Sequence, residues 1–252
     1  MFYVKDAHTH TEYGDAGGGA LSTLAGYDET ALGDGTVEKG WRSGASSTLH
    51  QIAIDLTDPN WDTVGVFDVV ATDGTAPSLV QIDMGSNLST WHGAEEPITL
   101  NGDGDGWLSP TEAPSRYVNI LVSFASAKYL RIGEILAGKK VTLSRGYTDR
   151  TDTHDWHVLE NVTRAGTRHA VRTAGRSRVL SLRWDLLLSA ERTEFLTLWD
   201  DLAGGATPTF IVPNADAPTD VLHGTIPPTW SEEVDFIYSG IAFDFVQSGR
   251  AA

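Results

Sequence analysis

The sequence predicts a mainly β protein, made of a β-sandwich and an α+β domain with one packed helix. Between 34 and 145, short β-rich runs alternate with Gly-, Asp- and Pro-rich turns and no helical stretch appears, which is typical of a sandwich. Only the 189–203 segment shows an apolar stripe with helical spacing. The 236–246 segment alternates apolar and polar residues as a final strand would.

These patterns divide the chain into three parts. Residues 1–33 are predicted to form an N-terminal arm and a Gly-rich linker, because the run from Gly17 to Gly19 favours a flexible segment. Residues 34–145 form the sandwich. Residues 146–252 form the second, β-rich domain, which contains the helix.

The order of elements in the sandwich carries a resemblance to a known family. A Gly-rich loop leads to Trp41, a strand at 51–56 ends in Asp55-Leu56, and paired strands follow at 115–122 and 128–135. This order resembles the galactose-binding-like family, also called the discoidin or F5/8 type C family. The resemblance implies a jelly-roll sandwich that binds or scaffolds more often than it catalyses.

The predicted helix has recognisable ends and one apolar face. Ser189 is expected to be its N-cap, Glu191 lies in the first turn, and Gly204 stops it. Four apolar residues at helical spacing should pack on a sheet; these are Phe195, Leu198, Trp199 and Leu202. Strands are predicted on either side of the helix, at 179–184 and 208–213.

The same region carries a second resemblance, over residues 178–249. The elements follow one another in a fixed order: a strand with Arg183-Trp184, the helix, Gly204-Gly205, a strand with Pro208 and Phe210, and a final Ser-Gly-x-x-Phe strand. This order is similar to tail proteins of long-tailed bacteriophages. It implies a distal-tail or minor tail protein that forms a ring around the tail channel, with the jelly roll projecting outward.

That resemblance implies particular partners and a location. The expected partners are copies of the chain itself and the tube, hub and fibre proteins of the tail, with a host surface glycan as a further candidate. The expected location is the tail tip of the virion, after synthesis in the host cytoplasm. No signal peptide is visible at the N-terminus, and no uncharged run of transmembrane length is present.

Composition excludes several function classes. The net charge of -16, from 18 basic and 34 acidic side chains, disfavours binding to nucleic acid or to anionic lipid. Cysteine is absent, which removes disulfides, thiolate nucleophiles and cysteine metal sites. The sequence therefore predicts neither sequence-specific nucleic-acid binding nor membrane insertion.

A basic strip interrupts this acidic chain. Residues 161–184 contain six arginines and no acidic residue. Five of them occupy even positions, which share a face in extended structure; these are Arg164, Arg168, Arg172, Arg176 and Arg178. The strip is either a subunit interface for an acidic neighbour or a solvated face paired with local carboxylates. Gly166 and Gly175 mark turns between two or three strands.

The 101–112 segment matches the spacing of a calcium loop. Oxygen-bearing side chains or a backbone carbonyl stand at the ligand positions, and Gly106 supplies the sharp turn. The candidate ligands are Asn101, Asp103, Asp105, Trp107 through its carbonyl, Ser109 and Glu112. An exposed acidic hairpin loop explains the same residues without a metal. No other cofactor is expected.

The N-terminus offers an enzyme hypothesis. His8 and His10 form a His-x-His pair that resembles the metal-binding strand of PHP-type and amidohydrolase enzymes, with His154 and His157 as further candidate ligands. These families need a barrel of alternating strands and helices, which the sequence does not show. We therefore expect no catalysis, and a metal-dependent hydrolase stands third among the function hypotheses.

Two hypotheses precede it. The first is a structural protein of the phage tail tip. The alternative is a carbohydrate-binding module with a calcium-supported sugar site. Aromatic residues near the turns of the sandwich either stack on a sugar or seal the core; these are Trp41, Trp61, Trp91 and Trp107.

Overall fold

A computed structural model gives the structure of the chain. It describes residues 1–5, 12–14, 32, 40–56, 60–112, 115–155, 158–162, 168–172, 177–202, 208–226, 231–234 and 238–247. The chain forms two compact units. Unit 1 comprises Met1–Thr142 and Thr209–His223, and unit 2 comprises Leu143–Pro208 and Gly224–Ala252. The predicted mainly β fold is confirmed.

The strands of unit 1 form three antiparallel sheets. Their bounds are β1 Phe2–Lys5, β2 Glu12–Gly14, β3 Trp41–Arg42, β4 Ser47–Asp55, β5 Thr63–Phe67, β6 Val70–Ala71, β7 Leu79–Asn87, β8 Thr90–Trp91, β9 Glu96–Pro97, β10 Gly106–Leu108, β11 Tyr117–Lys128, β12 Leu130–Ile132, β13 Glu134–Thr142 and β18 Thr209–Val212. A six-stranded sheet has the order β2-β4-β11-β7-β8, with β9 also paired to β7. The second sheet runs β10-β5-β13-β1-β18, and β3-β12-β6 form the third.

The core of unit 1 lies between these sheets, as expected for a sandwich. Even-numbered residues of the central strand β11, such as Val118 and Ile120, are buried against residues of the other sheets such as Val66 and Ile135. Trp41 and Trp61 belong to the same buried cluster. Successive side chains of β11 point to opposite faces of the sheet, so the even residues enter this core. Asn119 and Leu121, on the opposite face, are buried as well.

The N-terminus departs from the predicted arm, because its first residues form a core strand. Phe2 and Val4 of β1 are buried in a second cluster with Phe210 and Val212 of β18. The Thr209 hydroxyl donates to the Val4 carbonyl. Three consecutive buried hydrophobic residues, Phe2, Tyr3 and Val4, make this a strand that is buried on both faces. The strand brings both the start of the chain and residues 209–223 into unit 1. The predicted boundaries at 33 and 145 do not describe this division.

Unit 2 is an antiparallel sheet with one helix. Its elements are β14 Asp149–Asp155, β15 Val158–Val162, β16 Arg168–Arg172, β17 Ser177–Leu187, α1 Ser189–Asp201, β20 Ser231–Val234 and β21 Ser239–Gln247, and β19 Leu222–Thr225 spans the boundary in sequence. Strand β17 lies between β14 and β21, β20 pairs with β21, and β15 pairs with β16. Buried positions alternate along β21 as predicted, although position 237 lies outside the described residues.

Helix α1 packs through Phe195, Leu198 and Leu202, which are buried as predicted, whereas Trp199 is half-buried. The ring centroids of Phe195 and Trp184 of β17 lie 4.7 Å apart. The predicted N-cap is wrong by one residue.

Leu188 is the N-cap, and its N–H donates to a Glu191 carboxylate oxygen at 2.7 Å. That carboxylate satisfies one of the backbone donors at the start of the helix. Position 204 lies outside the described residues. None of the helical segments that the structure describes has the length and hydropathy of a membrane span.

Candidate functional site

The odd-numbered residues of β4, β7 and β11 form what we call the outer face, opposite the sandwich core. Cross-strand register arranges them in four rows, centred on successive odd residues of β11. The rows are Asp55–Tyr117–Gly85, Ala53–Asn119–Asp83, Gln51–Leu121–Gln81 and Leu49–Ser123–Leu79. Trp91 of the edge strand β8 extends the first row, since it lies opposite Gly85.

The first row ends in two aromatic side chains separated by a glycine, which we call the aromatic end. Tyr117 and Trp91 flank Gly85, and both are half-buried. A Cβ atom on Gly85 would lie 2.7 Å from the Trp91 ring and 2.5 Å from the Thr90 carbonyl oxygen. Glycine is therefore required for the ring to lie against the strand.

An ion pair supports the aromatic end from the side of β4. The Arg116 guanidinium donates to both carboxylate oxygens of Asp55, each at 2.7 Å. The same guanidinium carbon lies 5.3 Å from the centroid of the Tyr117 ring. Asp55 is buried and Arg116 is partly exposed, so the bidentate pair holds the arginine beside the tyrosine.

The second row places polar side chains at the floor of the outer face. Asn119 and Asp83 are buried, with 2% and 4% exposure. Asp83 accepts the N–H groups of Met84 at 2.8 Å and Gly93 at 3.0 Å. The Asn119 side-chain oxygen, in contrast, has no hydrogen-bond partner in the described part of the chain. A buried acceptor in this state needs a donor from water or from a ligand.

The segment around Glu112 contacts residues next to β8 and in β9, at the edge of the sheet that carries Trp91. His92 follows Trp91, and its Nδ1 atom lies 2.6 Å from a Glu112 carboxylate oxygen. The second carboxylate oxygen of Glu112 is buried and has no partner within the described residues. Glu96 of β9 accepts from the N–H and hydroxyl groups of Thr111 at 2.8 and 3.0 Å. These contacts tie the 109–112 segment to the edge of the sheet.

The six predicted calcium ligands lie in one segment but have separate partners. The side-chain oxygen of Asn101 accepts the N–H groups of Asp103 and Asp105 at 2.9 and 3.0 Å, which forms a tight turn. The buried Asp105 carboxylate accepts the Asp68 N–H at 3.0 Å. Ser109 bonds the Thr63 hydroxyl at 2.8 Å.

The two other candidates, Glu112 and Trp107, contact His92 and the Phe2 ring, respectively. Among the described residues, no group of three or more His, Asp or Glu side chains could hold a metal ion. Calcium binding therefore stays a prediction.

The basic strip is described only in part. Arg178 of β17 donates to Asp152 at 2.7 Å, which is the pairing expected of a solvated face. Burial raises the pKa of the Asp152 carboxyl, but the hydrogen bonds and charges of Arg178 and Arg150 outweigh it and hold the pKa below its ordinary value. Arg168 and Arg172 begin and end β16, whereas positions 164 and 176 lie outside the described residues. The interface hypothesis stays a prediction.

The remaining candidates from the sequence are the histidines of the enzyme hypothesis and the tryptophans expected to stack on a sugar. Positions 8, 10 and 157 lie outside the described residues, and His154 is exposed on β14. Trp41 and Trp61 are core residues, so neither can stack on a sugar. Trp91 is the half-buried tryptophan on the outer face. Sequence reasoning missed Tyr117, Gly85 and Asn119, because only the register of β4, β7 and β11 brings them together.

No protein-family model and no curated protein sequence matches the chain. Solved structures similar to it include a CBM32 module of a family 31 glycoside hydrolase from Clostridium perfringens, at 17% identity and a TM-score of 0.38, covering 54% of this chain and 96% of that one. The C-terminal domain of a chitobiase from Bacteroides fragilis is 16% identical, with a TM-score of 0.40 and coverage of 56% and 100%. A fucolectin from striped bass, Morone saxatilis, is 12% identical, with a TM-score of 0.32 and coverage of 96% and 100%.

Proposed function

We propose that unit 1 is a non-catalytic carbohydrate-binding module and that a sugar binds at its aromatic end. The observation that carries this proposal is the packing of the Trp91 ring over Gly85 in the same row as Tyr117, beside the buried side-chain oxygen of Asn119 that lacks a described partner. This arrangement combines apolar surface and a polar acceptor in one place, which is the usual composition of a small-molecule site.

The chemistry of a sugar fits both parts of this arrangement. An aromatic ring offers a flat apolar surface to the C–H groups of a pyranose, and amide oxygens accept hydrogen bonds from hydroxyl groups. A hydroxyl donor near Asn119 would also remove the cost of a buried, unsatisfied acceptor, about 1–3 kcal/mol. Arg116 is held beside Tyr117 by Asp55 and offers donors at the rim of the site.

A glycan array followed by calorimetry on the best glycan tests the proposal. We expect Trp91→Ala and Tyr117→Ala each to weaken binding at least about tenfold, on the scale of one aromatic contact. Tyr129→Ala is the matched control, since Tyr129 is an aromatic residue of unit 1 with 46% exposure outside the outer face. Binding that is lost equally in all three variants, or an array without any signal, would contradict the proposal.

A second candidate function is a structural protein of a phage tail tip that assembles as a ring. The observation that favours it is the order of elements in residues 178–249: β17, α1 and β21 follow the pattern that resembles tail proteins. Trp184 joins all three, because its ring contacts Phe195 and stacks on Phe243 at 5.3 Å. In this function the chain would assemble with copies of itself and other tail proteins in the virion, and a sugar site in unit 1 would recognise the host surface.

Assembly is measurable without knowing the other tail proteins. Light scattering and electron microscopy of the purified chain should show rings, and a triple variant with Arg168, Arg172 and Arg176 changed to Glu should remain monomeric. A melting temperature equal to that of the parent is the control that the variant is folded. Rings that form equally well from the triple variant would show that the basic strip is not the interface.

A further inference from the structure

One face of the unit 2 sheet is open, and we call it the acidic face. It lies opposite the side on which Trp184 packs against helix α1. Cross-strand register gives it two rows, Asp149–Arg183–Ala242–Ser231 and Thr151–Ser181–Asp244. Five of these seven residues are exposed, and the other two, Ser181 and Ala242, are half-buried. A groove of about 490 Å³ is lined by these residues.

The acidic face carries a net negative charge. Arg183 is the cation of its two rows, and it donates to Asp185 at 2.8 Å. That bond and the charges of Glu233 and Asp149 raise the pKa of the Arg183 guanidinium, so the local field is negative. Because Arg183 and Asp185 balance each other, the charges of Asp149, Glu233 and Asp244 are left unbalanced within these rows and the neighbouring pair of Glu233 and Gly240.

The same unit contains a segment of the opposite charge. Residues 156–176, which we call the basic hairpin, contain four arginines and a single acidic residue, Glu160. The described part of this segment is the ladder of β15 and β16, and among the described strands these two pair only with each other. A two-stranded ladder by itself is marginally stable in water. The basic hairpin would therefore gain stability from a surface on which it could pack.

A second copy of the chain is the occupant that the charges favour. The residues of the acidic face are exposed in the folded chain, so the chain's own basic hairpin does not cover them. Two copies with a net charge of -16 each repel one another in most orientations, whereas a hairpin that meets an acidic face brings opposite charges together. Guanidinium groups suit such a face, because their planar fork of donors matches carboxylate oxygens.

We infer that the basic hairpin of one copy docks on the acidic face of the next copy. This inference rests on the self-assembly proposed as the second candidate function, and it names the surface that receives the basic strip. Hairpin and face are different surfaces, so the contact between two copies is head-to-tail. Repeated contacts of this kind close into a ring or continue as a filament.

Sedimentation velocity of the full chain with two pairs of neutralising substitutions tests this contact. The face variant carries Asp149→Asn and Asp244→Asn, because an amide oxygen still accepts the hydrogen bonds that these carboxylates accept. The hairpin variant carries Arg168→Gln and Arg172→Gln. We expect the parent to associate and each variant to associate at least about tenfold more weakly, on the scale of lost close charge pairs between partners.

A mixture of the two variants separates a head-to-tail contact from a symmetric one. Each variant keeps one of the two surfaces, so an equimolar mixture should form a one-to-one complex and nothing larger. Absence of that complex would overturn the inference. Glu95→Gln with Asp216→Asn is the matched control, because it neutralises two exposed carboxylates of unit 1 and should associate like the parent.

Salt dependence measures the part of charge in the contact. Raising the salt concentration from 0.1 M to 1 M shortens the Debye length from about 10 Å to about 3 Å, and it should weaken association of the parent at least about tenfold. Association that does not depend on salt would contradict the inference. A parent that associates no more strongly than its face variant would overturn this inference alone and leave assembly through another surface intact. A parent that stays monomeric at every concentration would overturn both.

Discussion

Replacing Gly85 by alanine should displace Trp91 and reduce both stability and sugar binding. The added Cβ atom would lie 2.5 Å from the Thr90 carbonyl oxygen and 2.7 Å from the Trp91 ring. Optimal contacts lie near 3.5 Å, so the neighbours must move by about 0.8–1 Å. Both belong to the two-residue edge strand β8.

The expected cost is therefore that of moderate overpacking, about 1–3 kcal/mol. For a protein of this size that corresponds to a fall in Tm of about 2–12 °C. Thermal unfolding followed by tryptophan fluorescence measures this fall, and calorimetry measures the accompanying loss of glycan affinity. Gly102→Ala is the matched control, because no atom lies within 4 Å of its added Cβ and its backbone is not left-handed. A Gly85→Ala protein with unchanged Tm and affinity would refute the reasoning.

Three further predictions concern other parts of the chain. If calcium binds at 101–112, it should raise the Tm of the parent but not the Tm of Asp103→Asn. Asp103 is the better probe because it is exposed. Asp105→Ala would destabilise the fold even without calcium, because the Asp105 carboxylate accepts the Asp68 N–H. Burial lowers the pKa of His50 below its ordinary 6.5, so the unfolded chain binds that proton more readily than the folded chain does. The free energy of unfolding should therefore be highest above pH 6.5 and should fall as the pH drops toward the folded-state pKa. His50→Gln should flatten this dependence in urea titrations from pH 7.5 to 5. Trp184→Ala should lower the free energy of unfolding in urea by about 3–5 kcal/mol, because it empties the centre of the unit 2 core. A loss below about 1 kcal/mol would contradict that packing.

Local patterns were sufficient to predict the last strand and the helix. Alternation in the 236–246 segment and the apolar stripe of 189–203 reflect contacts with a single buried face, which sequence spacing records directly. The start of the chain was misread because β1 contains only four residues and its partners β13 and β18 are remote in sequence. Short strands with distant partners leave little local signal.

The outer face was beyond prediction for a related reason. Trp91 was among the aromatic residues expected to stack on a sugar or seal the core, but Gly85 and Tyr117 carry no local signal. Only the pairing of β7 with β8 and β11 makes the three residues neighbours. A shift of one residue in that pairing would turn Tyr117 toward the core. Register is decided by the packing of whole sheets, so a site built across strands cannot be found by motif.

The division of unit 1 between two sequence segments has a consequence for synthesis on the ribosome. Chains emerge from the N-terminus, at about 5–20 residues per second. β1 pairs with β18, and Phe67 packs on Phe210, so the unit lacks part of its sheet and core until residues 209–223 have been made. Unit 1 therefore cannot finish folding before most of unit 2 has been translated. A nascent chain stalled near residue 145 should expose the edge of β1 and remain sensitive to protease, although it already contains every strand of the six-stranded sheet.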